Sequence, residues 1–277
     1  MTVWNGLDQA ALDAALNNSA AVPGWYQRWW PIWRAGAKRV YAAPGVRCNL
    51  AYGPAARQRL DFLPCGIAGA PTFLFIHGGY WQSRDKEDFA FLAEGPQARG
   101  INVALVEYTL APTASMTAIA EEVRRAVLWL ADHLVELGAD PARMVVGGHS
   151  AGGHLAALVA DLSPVTGLVP LSGLFDLEPI RLSYLNEALR MDQAEAHRLS
   201  PLFHLPQRPK PMAIGVGAAE LPELVRQTEV YAAALIAAGG SVTTLPLAHH
   251  HHFSVLAEIA DPEGQVTEAI VALAGGS

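Results

Sequence analysis

Ser150 sits in Gly148-His149-Ser150-Ala151-Gly152, a G-x-S-x-G spacing entered from the apolar run Arg143-Met144-Val145-Val146 and followed by the helix-like stretch His154 to Ala160. A serine hydroxyl is hardly ionised at neutral pH, so it attacks a carbonyl only beside a base that takes its proton. Between a strand and a helix, this pattern places the serine in a strained turn, and the flanking glycines let the two elements close around it as a nucleophile elbow. Alone, the motif reads more readily as a glycine-rich βα turn with a surface serine. Three other stretches decide the matter. His249-His250-His251-His252 offers imidazoles, Gly217-Ala218-Ala219-Glu220 offers a carboxylate, and His77-Gly78-Gly79-Tyr80-Trp81 offers backbone N–H groups that could face an oxyanion.

Those groups do chemistry together only if a framework brings them to one place. Val46 to Tyr52 and Arg59 to Leu63 read as strands joined by a turn at Gly53-Pro54, an antiparallel hairpin suited to a sheet edge. Thr72 to Ile76, nearly all apolar, reads as a central strand covered on both faces. Further strands are expected at Asn102 to Val106, Arg143 to Val146, Thr166 to Leu171, Met212 to Val216 and Val242 to Leu245. Between them lie helical patterns at Asp85 to Arg99, Ser115 to Leu137 and Pro222 to Ala238, with a last helix over Ser254 to Leu273 interrupted near Asp261-Pro262-Glu263-Gly264. The clearest is Ser115 to Leu137, where Ile119, Val123, Val127, Leu130, Leu134 and Leu137 form one apolar stripe and Gly138 closes the helix. This alternation predicts an α/β fold with a mostly parallel central sheet, helices on both faces and right-handed crossovers. Residues 176–205 break the rhythm with two short helical pieces around Tyr184 to Leu189 and read as a small helical lid insertion. Residues 1–45 form an arm in which Trp25 to Trp33 packs five aromatics into nine positions; burial against the domain is favoured over a direct substrate role.

The composition agrees with a large buried core: 51% of the 277 residues are hydrophobic and 16% charged, and no linker divides the chain, so residues 1–277 read as one domain. A formal net charge of −7, with no basic cluster longer than Lys38-Arg39 or Arg124-Arg125, argues against a nucleic-acid partner. No apolar run approaches the roughly 20 residues of a membrane span, and the first residues lack the basic and apolar regions of a signal peptide, so a soluble cytoplasmic protein is expected. Cys48 and Cys65, without C-x-x-C spacing, read as free thiols.

In open parallel sheets, functional groups gather beyond the carboxyl ends of the strands. There, Ser150, Glu220 and the histidine run follow three strands in the chain order Ser, acid, His used by α/β-hydrolases. Ser150 is assigned as nucleophile, one histidine of the run as general base, and Glu220 as the carboxylate that holds the imidazole tautomer. Glu223 and Asp176 are the alternative acids. The histidine run also raises a metal, but neighbours on an extended segment point to alternate sides and cannot close a tetrahedral set. No metal or organic cofactor is called for. The N–H groups of Gly78, Gly79 and Ala151 are the expected oxyanion hole, with His77-Gly78-Gly79 resembling the HGG loop of esterases.

His77-Gly78-Gly79-Tyr80-Trp81-Gln82, Gly148-His149-Ser150-Ala151-Gly152-Gly153, Pro222-Glu223-Leu224-Val225-Arg226-Gln227-Thr228 and His252-Phe253 together resemble the arylformamidases (kynurenine formamidases) of the α/β-hydrolase superfamily. The likeness runs from about Val46 to the C-terminus and includes Tyr184 to Leu189. It implies the α/β-hydrolase fold, the acid at Glu220, where eukaryotic members more often have Asp, and the base at His252. It also implies removal of a small acyl group, most simply formyl, from an aryl amide such as N-formylkynurenine, with Tyr80, Trp81 and the N-terminal tryptophans available to stack on the aromatic leaving group. A homodimer is plausible on the same ground. The alternative is a carboxylesterase of short-chain esters, because one triad serves both reactions. A non-catalytic binder on this scaffold and metal-dependent amide hydrolysis are the remaining readings.

Overall fold

A computed structural model describes residues 2–275. Eight strands form one sheet in the order β1-β2-β4-β3-β5-β6-β7-β8: β1 (Arg47–Ala51), β2 (Arg59–Leu63), β3 (Ala70–Ile76), β4 (Asn102–Val106), β5 (Ala139–His149), β6 (Val165–Leu171), β7 (Met212–Gly217) and β8 (Val242–Leu247). The pair β1–β2 is antiparallel, as is β2–β4, and every later pairing is parallel. The expected edge hairpin and parallel body are therefore present. Every residue of β3 is buried, with Phe73 and Phe75 facing one apolar layer and Leu74 and Ile76 the other.

The first layer contains α5 (Met116–His133), introduced after three helices of the N-terminal segment, α1 (Gln9–Ala15), α2 (Asn18–Ala21) and α3 (Trp25–Tyr41), and after α4 (Glu94–Ala98). The Ser115 hydroxyl accepts from Ala118 N–H and caps α5, whose stripe residues Ile119, Val123, Val127 and Leu130 are fully buried or nearly so. Regular helix ends at His133 rather than Leu137, and the last turn unwinds into Gly138, whose φ of 78° the missing side chain permits. The second layer is built on α3. Trp33 stacks on Phe91 with ring centroids 5.2 Å apart, and Trp25 stacks on Phe253 at 3.9 Å. Trp25 and Trp33 are thus buried against the segments that cover the sheet, while Trp29 and Trp30 are half-buried and Tyr26 is exposed. Residues 85–99 are not one α-helix: a 3-10 helix, Lys86–Ala93, leads into α4.

Beyond β5 lie α6 (Ala151–Leu158) and then, after β6, three short helices where two are expected: α7 (Glu178–Leu182), α8 (Asn186–Leu189) and α9 (Gln193–Arg198). Their entry is anchored by Gln227 of α10 (Pro222–Ala237), whose side-chain oxygen accepts from Phe175 N–H at 2.7 Å and Asp176 N–H at 2.9 Å. The chain ends through a 3-10 turn at Ser254–Leu256, α11 (Ala257–Ala260) and α12 (Gln265–Leu273), with the expected interruption between the last two. Among the described residues no helix is long and apolar enough to cross a membrane. Both cysteines are free thiols.

Candidate active site

From β3 the chain steps to β4 on one side, while β5 pairs with β3 on the other, so the direction of winding reverses between β3 and β5. Ligands of open α/β sheets bind outside the carboxyl ends of strands at such a point. Ile76 pairs with Gly148, which puts the two segments that follow, His77-Gly78-Gly79 and His149-Ser150-Ala151, side by side. Gly78 lies so close that a Cβ there would sit 2.8 Å from His149 O and 3.1 Å from the Ser150 Cβ.

Ser150 has φ 57° and ψ −120°, a conformation costly for any side-chain-bearing residue, as the elbow requires. The turn is held by its N–H, which donates to Leu171 O at 2.9 Å, and by close packing at Gly152, where a Cβ would overlap the Ile76 carbonyl oxygen. Ala151 is the first residue of α6, so its N–H has no partner within the helix. The HGG loop has its own support. His77 Nδ1 lies 2.8 Å from Gly78 O and its Nε2 3.0 Å from Glu107 Oε1, so both ring nitrogens face oxygen acceptors. Turning the Gly78 carbonyl toward His77 turns the N–H of Gly79, on the same planar trans peptide, the opposite way. Gly78 and Gly79 both line the cavity that Ser150 opens into. Glu107 also accepts from Arg57 Nη2 at 2.6 Å and Lys86 N–H at 3.0 Å. Burial acts to raise its pKa, but the bond and charge of His77, with Arg57, hold that carboxyl below its ordinary range.

Across the cavity, His252 Nδ1 donates to Glu220 Oε2 at 2.6 Å. The other Glu220 oxygen accepts from Ser172 Oγ at 2.5 Å and Gly217 N–H at 2.8 Å. The alternative acids are engaged elsewhere: Glu223 forks onto Arg226 at 2.7 and 2.8 Å, and Asp176 accepts from Glu178 N–H at 3.0 Å. The four histidines diverge. His250 Nε2 is 2.9 Å from Glu258 Oε1, His251 Nδ1 accepts from the N–H groups of Phe253 and Ser254, and His249 takes φ 64° in the turn. Among the described residues no three His, Cys, Asp or Glu side chains are grouped as a metal site.

Tyr80 and Trp81 part ways. Tyr80 lines the cavity while its hydroxyl donates to Leu16 O at 2.6 Å and accepts from Asn18 Nδ2 at 3.1 Å, and burial pushes its phenol well above the ordinary range. Trp81, expected to meet substrate, is instead fully buried edge-on to His154 in the core and is absent from the cavity wall. The reason is the loop's left-handed backbone, φ 49° at Tyr80 and 59° at Trp81, which turns the second ring inward. Of the N-terminal tryptophans offered as stacking partners, Trp25 and Trp33 reach the site, and with Phe89, Phe253 and Leu256, which sequence reasoning left outside it, they wall a cavity of about 350 Å³. Ser172 was also missed, although it directly follows β6 at the same sheet edge. So was the tilt of the His149 ring against His252 at 4.4 Å; burial foremost, then the charge of His252, pushes His149 well below the ordinary imidazole range and keeps it neutral.

A kynurenine formamidase of Danio rerio is 31% identical to the chain over 259 residues, covering 88% of this chain and 87% of that protein. The chain belongs to the kynurenine formamidase family. The family sits within the α/β-hydrolases, and the BD-FAE family model matches residues 63–168, which carry the HGG loop and the elbow. A solved structure from Silicibacter sp. superposes with a TM-score of 0.85 at 31% identity, covering 94% of this chain and 98% of that one. A carboxylesterase of Mycobacterium tuberculosis is 33% identical over 135 residues, 48% of this chain and 36% of its own length. The fold is that of the α/β-hydrolases, and this member of the kynurenine formamidase family is a serine hydrolase.

Proposed function

We propose that the protein removes a formyl group from an aryl amide such as N-formylkynurenine, with Ser150 as nucleophile, His252 as base and acid, and Glu220 orienting His252. Ser150 Oγ attacks the formyl carbon as His252 Nε2 takes its proton. The oxyanion accepts hydrogen bonds from the N–H groups of Gly78, Gly79 and Ala151, donors of a kind worth about 10²–10³ each in kcat. Collapse breaks the C–N bond, His252 returns the proton to the departing aryl amine, and a formyl ester remains on Ser150. Water, deprotonated by His252, then releases formate and restores the hydroxyl. Glu220 does not take a proton. It fixes the tautomer with Nδ1–H and stabilises the imidazolium.

The reading is carried by the family relationship, which spans 88% of the chain, and is supported by the short Glu220–His252 bond and the aromatic cavity wall. A second reading, a short-chain carboxylesterase, has its own observation in the Mycobacterium tuberculosis relative. The two are separated by kcat/KM for N-formylkynurenine against p-nitrophenyl acetate and butyrate. A value for the esters far above that for the formamide discards the formamidase reading and keeps the esterase.

A further inference from the structure

Among the residues lining the cavity there is no Asp, Glu or Lys, and Arg84 is the one permanently charged side chain. Its guanidinium lies over the rings of both Trp25 and Trp30, 5.1 Å from each centroid. The nearest carboxylate in sequence is committed elsewhere, since Asp85 pairs with Arg57 at 2.8 Å. Asp88 feels the charge of Arg84, yet its carboxylate turns back to the Asp85 N–H, and among the described residues no acidic side chain forms an ion pair with Arg84. Arg84 also keeps a left-handed backbone, φ 83°, with its carbonyl held by Arg57 Nη2 at 2.7 Å. A weakly hydrated, aromatic-backed guanidinium with free donors is suited to a planar anion. We infer that Arg84 is the specificity residue of this site and recognises a carboxylate carried by the leaving group. The substrate class is therefore an aryl formamide or ester with an anionic side chain. Because no acidic group lines the cavity, an ammonium on the same leaving group gains no counter-charge there, so the site favours an anion over a zwitterion.

The inference rests on the reading that acyl transfer occurs at Ser150, but not on formyl being the acyl group. Its test uses two matched pairs, 3-(2-formamidobenzoyl)propanoate against its primary carboxamide, and 3-(4-acetoxyphenyl)propanoate against its primary carboxamide. The readout is the ratio of kcat/KM, carboxylate over carboxamide, for whichever pair is turned over. The wild-type ratio is expected above about thirty, carried by KM, and to fall as salt rises. Arg84→Gln should bring it to within about threefold of unity, while Arg84→Lys should keep it above ten. A purely structural Arg84 would lower both members of a pair alike and leave the ratio standing, which overturns the inference, as does a wild-type ratio near one. Should Arg84→Gln not fold, the wild-type enzyme still decides: 3-(2-aminobenzoyl)propanoate must inhibit at least tenfold more tightly than its carboxamide. Inert formamides with an Arg84-dependent ester ratio sink the formamidase reading and keep this one; cleaved formamides with a ratio of one do the reverse.

Discussion

Glu220→Gln tests the proposed triad through its hydrogen-bond bookkeeping. The carboxylate is fully enclosed and accepts three bonds, from Ser172 Oγ and Gly217 N–H on Oε1 and from His252 Nδ1–H on Oε2. An amide has one oxygen and one NH2. With the oxygen kept toward Gly217, the NH2 faces His252, whose Nδ1 must then accept, so Nε2 carries the hydrogen and cannot take the Ser150 proton. With the amide reversed the tautomer is right, but Gly217 N–H is left buried against a donor, a cost of about 2 kcal/mol. The neutral oxygen also gives up a charge-assisted bond to the developing imidazolium, about 2–3 kcal/mol more. The sum, about 4–5 kcal/mol, corresponds to a loss of about 10³–10⁴ in kcat at 1.36 kcal/mol per decade. That is close to the ~10⁴ found for the matching change in serine-protease triads. The assay is burst and steady-state release of p-nitrophenol from p-nitrophenyl acetate, with thermal unfolding to confirm that the variant is folded. A folded variant that loses less than tenfold would refute the orienting role of Glu220.

Trp33→Ala should destabilise by about 3–5 kcal/mol, because Trp33 is 3% exposed and stacked on Phe91, and should raise KM because the ring also walls the cavity; a urea midpoint equivalent to less than about 1 kcal/mol of change contradicts the packing. Gly152→Ala inserts a methyl against the Ile76 and His77 carbonyl oxygens and should give insoluble protein or lose about 3 kcal/mol or more, read by soluble yield and unfolding. Burial holds His154 down at about 4, from an ordinary 6.5, with Nε2–H donating to Leu199 O. Between those values the unfolded chain binds a proton that the folded chain does not. Its contribution is therefore complete above about pH 6.5 and lost as pH falls toward about 4, roughly 3 kcal/mol in all. Urea midpoints between pH 7.5 and 4.5 should fall more gently in His154→Gln than in the wild type; parallel slopes would assign the acid sensitivity to other groups.

What the sequence makes legible follows from how local each signal is. β2 and β4 begin and end where apolar runs meet turn residues, so their bounds agree with expectation residue for residue. β5 is longer than its apolar run at both ends, because Ala139 already pairs with Ala70 and pairing continues through Gly147 and Gly148, which have no side chain to announce it. Glu220 and His252 are legible through strand order and motif, and the geometry joins them. Ser172, the Glu107–His77 support and the cavity wall from Trp25 and Trp33 depend on contacts between segments far apart in the chain, which no local pattern encodes. Trp81 illustrates the opposite failure: its type suits a binding site, but a backbone conformation two residues long sends it into the core.

Trp25 and Phe253 lie 228 positions apart in the chain, yet they stack face to face beside His252. Trp33 can stack as soon as Phe91 has been made, whereas the ring that stacks face to face on Trp25 follows only with Phe253. The Trp25 ring therefore lacks its stacking partner while the segment between Phe91 and Phe253 is made, a stage at which apolar surface is open to misassociation. The segment that delivers the His252 imidazole is thus also the one that covers Trp25, so packing of the N-terminal helix and competence of the cavity arrive together.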